Sequence, residues 1–327
     1  MPLRVAVTGP TGEIGISTIE ALESHPDVAQ IVGMARRPFD PAERGWSKTV
    51  YRQGDILDRE AVEALVADAD VVVHLAFIVL GSRQESARVN LAGTRNVFEA
   101  TVAAQCPRLV YTSSVAAYGY HSDNPVPITE DVPARGSPEH YYSEQKAACE
   151  AALTEITSGS ALEVFVMRPC IVAGPKATAL ADAMPWKKLP GPARRITEAL
   201  PLLKPPFPDP GTPMQLIHHD DVAAAIALAT TTTSAPPGTY NLAGDGLLSL
   251  SEVGAALGAR PVKVPRAAAL VTSELIARLP FVPSVLEWLH AGRTSVVMDT
   301  SRARNQLGWQ PQFSAAQTLS ALADAVR

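Results

Sequence analysis

Over the first 170 residues, short runs of β-branched and other apolar positions alternate with longer stretches of helical pattern. The runs fall at 3–8, 31–35, 49–53, 71–75, 109–113 and 164–168, and the helical stretches near 14–24, 58–67, 85–105 and 138–156. Such alternation predicts an α/β fold, a doubly wound parallel sheet with helices on both faces. Between Pro175 and Pro213 the pattern breaks, because ten of the chain's 28 prolines lie there and no long helix crosses such spacing. This stretch also carries Lys187, Lys188, Arg194, Arg195 and Lys204, and reads either as a substrate lid or as a solvated connection. Beyond it the pattern predicts helices over 220–230, 251–257, 266–279 and 314–326, and a short strand over 238–242. The expected organisation is a sheet domain over 1–175 and a smaller α-rich C-terminal substrate lobe over 176–327. Residues 176–213 form its proline-rich lid segment, and some later segments return to the sheet.

Directly after the first strand stands Thr8-Gly9-Pro10-Thr11-Gly12-Glu13-Ile14-Gly15, with glycines three apart where a helix opens. Glycines so placed allow a tight turn and a close backbone approach to a pyrophosphate, which the N–H groups and dipole of the helix N-terminus then hold. Three glycines alone are weak evidence; the order strand, motif, helix is the context the motif needs. An acidic residue about 20 positions past the glycines grips the ribose 2′-hydroxyl of NAD, whereas arginine suits a 2′-phosphate. Here that place holds Gly33-Met34-Ala35-Arg36-Arg37-Pro38. The forked guanidiniums favour NADP(H) over NAD(H), unless Arg36 and Arg37 are merely exposed residues of the turn beside Pro38.

The run Arg108-Leu109-Val110-Tyr111-Thr112-Ser113-Ser114 ends in hydroxyls, as expected at the carboxyl edge of a parallel sheet, where ligands bind. Downstream comes Tyr142-Ser143-Glu144-Gln145-Lys146. With Ser137 as N-cap and Pro138 in the first helical position, Tyr142 and Lys146 share one helix face, while Tyr141 pairs with Gln145. Alone, a tyrosine four before a lysine is a common surface pair.

In combination, these segments resemble the extended short-chain dehydrogenase/reductase family, which includes the NAD-dependent epimerases and dehydratases and has a Rossmann sheet. The resemblance covers nearly the whole chain. It takes in the glycine turn, Gly54-Asp55-Ile56, His74-Leu75-Ala76, the Asn90–Val97 segment and Ser113-Ser114-Val115-Ala116-Ala117-Tyr118-Gly119. Arg168-Pro169 with Gly174-Pro175, Ile217-His218-His219-Asp220-Asp221-Val222 and the Leu307-Gly308-Trp309-Gln310-Pro311 signature continue it. It implies cofactor contacts from Gly9, Thr11, Gly12, Glu13, Ile14, Gly15, Arg36, Asp55, Ile56, Leu75, Ala76, Asn90, Tyr142, Lys146 and Pro169. It implies hydride transfer between a nicotinamide and a carbonyl or alcohol, with Ser114, Tyr142 and Lys146 as the catalytic set. A free phenol has a pKa of about 10, so a phenolate near neutrality asks roughly 4 kcal/mol of its surroundings. The ammonium of Lys146 is the expected source, and the oxidised nicotinamide adds a second positive charge. The family also pairs through helices matching 85–105 and 138–156, which allows a homodimer.

Two departures narrow the reaction. Sugar 4,6-dehydratases of the family carry Asp-Glu after the catalytic hydroxyl, whereas Val115-Ala116 follows Ser114, which disfavours dehydration. Epimerases generally retain NAD through an acidic residue after the second strand, and Ala35-Arg36-Arg37 lacks one. Nucleotide-sugar members also often show Arg-Asp-Phe before the hinge histidine, where this chain has Met214-Gln215-Leu216-Ile217. The favoured function is an NADP-preferring ketoreductase or alcohol dehydrogenase. The alternatives are an NAD-dependent nucleotide-sugar 4-epimerase and a dinucleotide-sensing protein without chemistry.

Composition fits a small-molecule enzyme. The net charge of −5 comes without a basic block, which argues against nucleic acid or an anionic membrane surface as partner. No run reaches the roughly 18 apolar residues of a membrane span, and Met1-Pro2 leads straight into a strand, so a cytoplasmic protein without a leader is expected. Cys106, Cys149 and Cys170 read as small buried hydrophobes, although Cys170 also falls near the expected nicotinamide. His218, His219, Asp220 and Asp221 read as a helix start rather than a metal site, since consecutive side chains diverge. Trp186, Trp288 and Trp309 read as core or lid packing.

Overall fold

The computed structural model describes residues 2–79, 83–184, 186, 204–265 and 295–327. The helix expected over 266–279, Trp288 and the four basic residues at 187, 188, 194 and 195 lie outside the described residues. The chain opens with β1 (Leu3–Thr8), α1 (Glu13–Glu23), β2 (Val28–Ala35), β3 (Thr49–Gln53), α2 (Arg59–Val66) and β4 (Val71–His74). Next come α3 (Arg83–Ala87), α4 (Thr94–Ala103), β5 (Arg108–Thr112), α5 (Tyr141–Thr157) and β6 (Glu163–Pro169). The remainder comprises β7 (Ile171–Ala173), α6 (Ala179–Asp182), β8 (Pro206–Asp209), β9 (Leu216–His218) and α7 (His219–Thr231). It ends with β10 (Gly238–Leu242), α8 (Leu250–Ala256), β11 (Arg260–Lys263), α9 (Ser301–Gln306) and α10 (Ala315–Ala325).

Seven strands form one sheet in the order β10-β6-β5-β4-β1-β2-β3, every pairing parallel. The doubly wound expectation holds, and the direction of winding reverses between β1 and β4, where open α/β sheets bind ligands. Successive residues of the central strands enter opposite cores. Val5, Val7, Val71 and Val73 pack with Ile19, Leu22 and Ile226 on one face, and Ala6 and Val72 pack with Val62, Val97 and Phe98 on the other. Burial on both faces is why these strands read as unbroken apolar runs.

After β6 the chain becomes smaller in scale and mostly helical. β10 returns to the sheet beside β6, α7 packs on α1, and a separate core gathers Leu216, Val253, Leu257, Leu319 and Leu322. The terminal signature is tied down by Asp221, whose carbonyl accepts the Trp309 indole N–H and whose carboxylate accepts the Gln312 and Phe313 amides. Trp309 and the three cysteines are buried, as expected. No helix among the described residues is long and apolar enough to cross a membrane.

Two expected helices differ in detail. The stretch over 85–105 is interrupted by a π-helical turn, Arg88–Gly93, between α3 and α4. A Cβ on Gly93 would lie 2.5 Å from Ile56, so close packing rather than periodicity shapes this turn. The helix α5 starts at Tyr141, not at Pro138. Its N-cap is His140, which accepts the Ser143 amide, while Ser137 instead accepts the Tyr120 amide. Imidazole nitrogen takes the capping role because the 137–140 turn spends the serine elsewhere.

Candidate active site

The glycine turn is built for close approach. Gly9 has φ +76°, and a Cβ there would lie 2.8 Å from the Ala76 nitrogen; at Gly15 a Cβ would lie 2.1 Å from the Gly9 carbonyl oxygen. Only glycine lets β1, α1 and the turn after β4 converge here. Gly12 caps α1 without a side chain, so the helix opens at the cavity with its N–H groups and dipole. A cavity of about 400 Å³ runs along this edge, walled by Gly9, Thr11 and Gly12 and by residues 34–37, 54–56 and 75–79. Its glycine cradle and the cationic residues Arg36 and Arg37 on its wall fit a dinucleotide.

At one end of this edge, the end of β5 and the inner face of α5 meet. The Ser114 hydroxyl hydrogen-bonds the Tyr142 phenol. The Lys146 ammonium donates to the Thr112 carbonyl at 2.9 Å and lies 5.9 Å from the Tyr142 ring centre and 3.6 Å from that of Phe77. Phe77 in turn meets the Tyr142 ring edge-on at 5.5 Å. Burial dominates both titrations: it pushes the Tyr142 phenol up to about 12, against the lowering bond from Ser114, and pulls the Lys146 ammonium down to about 8. The sequence expectation is that Lys146, together with the oxidised nicotinamide, brings the phenol down; in the chain by itself burial pushes the phenol the other way.

The structure gathers Ser114, Tyr142 and Lys146 in one cluster, and places Gly9, Thr11, Gly12, Arg36, Asp55, Ile56, Leu75 and Ala76 on the cavity wall. Other expected contacts are engaged elsewhere. The Glu13 carboxylate accepts the Ala179 amide, Gly15 is packed under the turn, and Ile14 packs against the core. Asn90 is fully buried. Its carboxamide clasps the Ile78 amide and carbonyl and donates to Gln145, so it shapes the 75–79 wall rather than touching the cavity. Pro169 closes β6. The Tyr141 phenol donates instead to the Val79 carbonyl.

Sequence reasoning missed Phe77, Tyr120 and His140. The His140 ring stands edge-on to Tyr142 at 6.2 Å and to Tyr120 at 5.3 Å. No local pattern marks these residues, because loops bring them to the helix start. It also missed Glu150, which the four-residue spacing Tyr142, Lys146, Glu150 makes visible.

The geometric ground for dismissing a metal is also corrected. Ring nitrogens of His218 and His219 and a carboxylate oxygen of Asp220 do converge, within 4.8 Å. Several of these atoms also bond within the protein. His219 Nε2 accepts the Lys176 amide, its Nδ1 lies 2.9 Å from both Ser17 Oγ and Asp220 Oδ1, and His218 Nδ1 accepts the Asp220 amide as the N-cap of α7.

The fold agrees with what the chain resembles elsewhere. Residues 5–243 match the NAD dependent epimerase/dehydratase family, and the chain belongs to that family. An uncharacterized protein of Mycobacterium tuberculosis is 27% identical over 326 residues, covering 99% of this chain; the chain spans only 30% of that protein's length. The L-arabinose 1-dehydrogenase (NAD(P)(+)) of Haloferax volcanii is 31% identical over 179 residues, 50% of this chain and 65% of the relative. Among solved structures, the Bordetella bronchiseptica enzyme WbmG in complex with NAD and UDP superposes with a TM-score of 0.70 at 22% identity, covering 99% of this chain and 94% of that one.

Proposed function

We propose that the chain is an NADP-preferring oxidoreductase that moves a hydride between the nicotinamide and a carbonyl or secondary alcohol. The observation that carries this reading is the pairing of the Ser114 and Tyr142 hydroxyls at the carboxyl edge of the sheet, one helical turn from Lys146 and beside the glycine-walled cavity. Gly9, Thr11 and Gly12 would hold the pyrophosphate, Asp55 and Ile56 the adenine, and Tyr142 and Lys146 the nicotinamide end. When bound, the dinucleotide supplies or accepts the hydride. In reduction, the Tyr142 phenol gives its proton to the substrate oxygen while Ser114 donates a hydrogen bond to the same atom. Lys146, anchored on the Thr112 carbonyl, favours the resulting phenolate by charge.

The preference for NADP rests on Arg36, which borders a second recess with Gln53, Gly54 and Asp55. The Asp55 carboxylate is turned into its own loop, accepting the Leu57 amide, and leaves the guanidinium as the prominent charge there. A second reading, an NAD-dependent nucleotide-sugar 4-epimerase, is supported by the likeness to an enzyme solved with NAD and UDP. The test is incubation with 4-deuterated NADPH and a panel of ketones and UDP-sugars. Deuterium in a product alcohol, with little dinucleotide co-purifying, supports the oxidoreductase. Co-purifying NAD, interconversion of UDP-sugar C4 epimers and no transferred label would overturn it in favour of the epimerase.

A further inference from the structure

Beyond the Ser114–Tyr142–Lys146 set, α5 makes a third buried contact with the end of β5. Three consecutive residues of the strand end engage three helix residues spaced by four: Thr112 through its carbonyl with Lys146, Ser113 through its hydroxyl with Glu150, and Ser114 with Tyr142. Glu150 is 9% exposed, and its carboxylate accepts Ser113 Oγ at 2.5 Å and Arg168 Nε at 2.9 Å through Oε1, and Arg168 Nη2 through Oε2. Arg168 is itself buried, lies over the Tyr118 ring at 4.3 Å, and precedes Pro169 at the end of β6. A single carboxylate thus ties together the ends of β5 and β6 and the helix that carries Tyr142.

We propose that Glu150 is a positioning residue of the reaction centre, fixing Ser113 so that Ser114 meets Tyr142, and supplying the negative charge that the buried Lys146 ammonium faces. The groups around that ammonium are few. Tyr142, Cys149 and Glu150 face it from α5, Tyr111 from β5, His74 from the end of β4 and the Phe77 ring from the 75–79 turn. Of these, Glu150 stands one helical turn from Lys146 on α5, and its carboxylate opposes the loss of the lysine proton that burial promotes. An ion pair so buried is costly to break on one side but replaceable as a unit by neutral groups.

The inference rests on Tyr142 and Lys146 being the reacting pair, but its test needs no turnover. Lysine 13Cε NMR titration of the whole protein, with the signal assigned through Lys146→Met, reads the protonation of Lys146 directly. In the Glu150→Gln/Arg168→Met double variant, the titration midpoint of Lys146 is expected to fall so that its acid dissociation constant rises at least tenfold, about one pH unit. NADPH affinity is expected to stay within twofold. Ser113→Ala, which keeps the ion pair, is expected to leave the midpoint in place while lowering the rate of label transfer at least tenfold. A folded double variant whose Lys146 titrates as in the wild type would overturn the electrostatic role, and unchanged label transfer in Ser113→Ala would overturn the positioning role. Absence of any label transfer in the wild type would instead count against the oxidoreductase reading and leave the titration result standing.

Discussion

The Lys146 ammonium stands four residues from Tyr142 on one face of α5, 5.9 Å from the centre of its ring, and is held there by the Thr112 carbonyl. With its proton leaving at about 8, the ammonium's help to the phenolate fades above that pH. Activity is therefore expected to decline as pH rises through about 8, and Lys146→Arg, whose guanidinium stays charged, is expected to lack that decline. A pH–rate profile of both proteins, at saturating cofactor, checks this.

At the other end of the cavity, Arg36 is expected to select the cofactor. A charge-assisted hydrogen bond to a phosphate contributes about 1.5–3 kcal/mol. Arg36→Ala should therefore weaken NADPH binding by roughly 10- to 150-fold while leaving NADH binding nearly unchanged, as read by fluorescence titration. An unchanged NADPH/NADH ratio would show that the arginine is only a turn residue.

Gly15 allows the turn to close, since a Cβ would stand 2.1 Å from the Gly9 carbonyl oxygen. Gly15→Ala should cost about 1–3 kcal/mol in stability through overpacking and displace the loop that faces the pyrophosphate. Thermal unfolding together with dinucleotide binding checks both effects.

His74 is wholly buried between Thr8 Oγ1, 2.6 Å from Nδ1, and Thr94 Oγ1, 3.0 Å from Nε2. Burial first, and the Lys146 charge second, bring its pKa down from 6.5 to about 3. The unfolded chain binds this proton first, so the stabilisation is present above pH 6.5 and is lost as pH falls from there toward 3, at up to about 1.4 kcal/mol per pH unit. Urea unfolding across that range should show the slope, and His74→Gln should remove its share.

The sheet was legible because both of its faces are covered. Val71, Val72 and Val73 have no polar partner to alternate with, and the glycine turn is fixed by sterics that only glycine satisfies. Tyr142 and Lys146 were legible for a similar reason, since helical spacing puts them side by side whatever the rest of the chain does. The π-turn around Asn90 was hidden, because it depends on Ile56 reaching Gly93 from a different part of the chain. His140 in the capping position was hidden too, as Ser137 matches the local signal and tertiary contact with Tyr120 overrides it. Phe77 over Lys146 belongs to the same class: nothing within a window of sequence pairs a residue after β4 with one on α5.

The central claim is that the Tyr142 phenol is the proton donor in hydride transfer. The measurement is the rate of deuterium transfer from 4-deuterated NADPH to a reduced product by Tyr142→Phe, alongside its NADPH affinity. The account predicts a loss of at least 100-fold in rate, in line with the 10²–10⁴-fold usual for acid–base groups, with affinity within twofold. A folded variant that keeps more than about a tenth of the wild-type rate would contradict it.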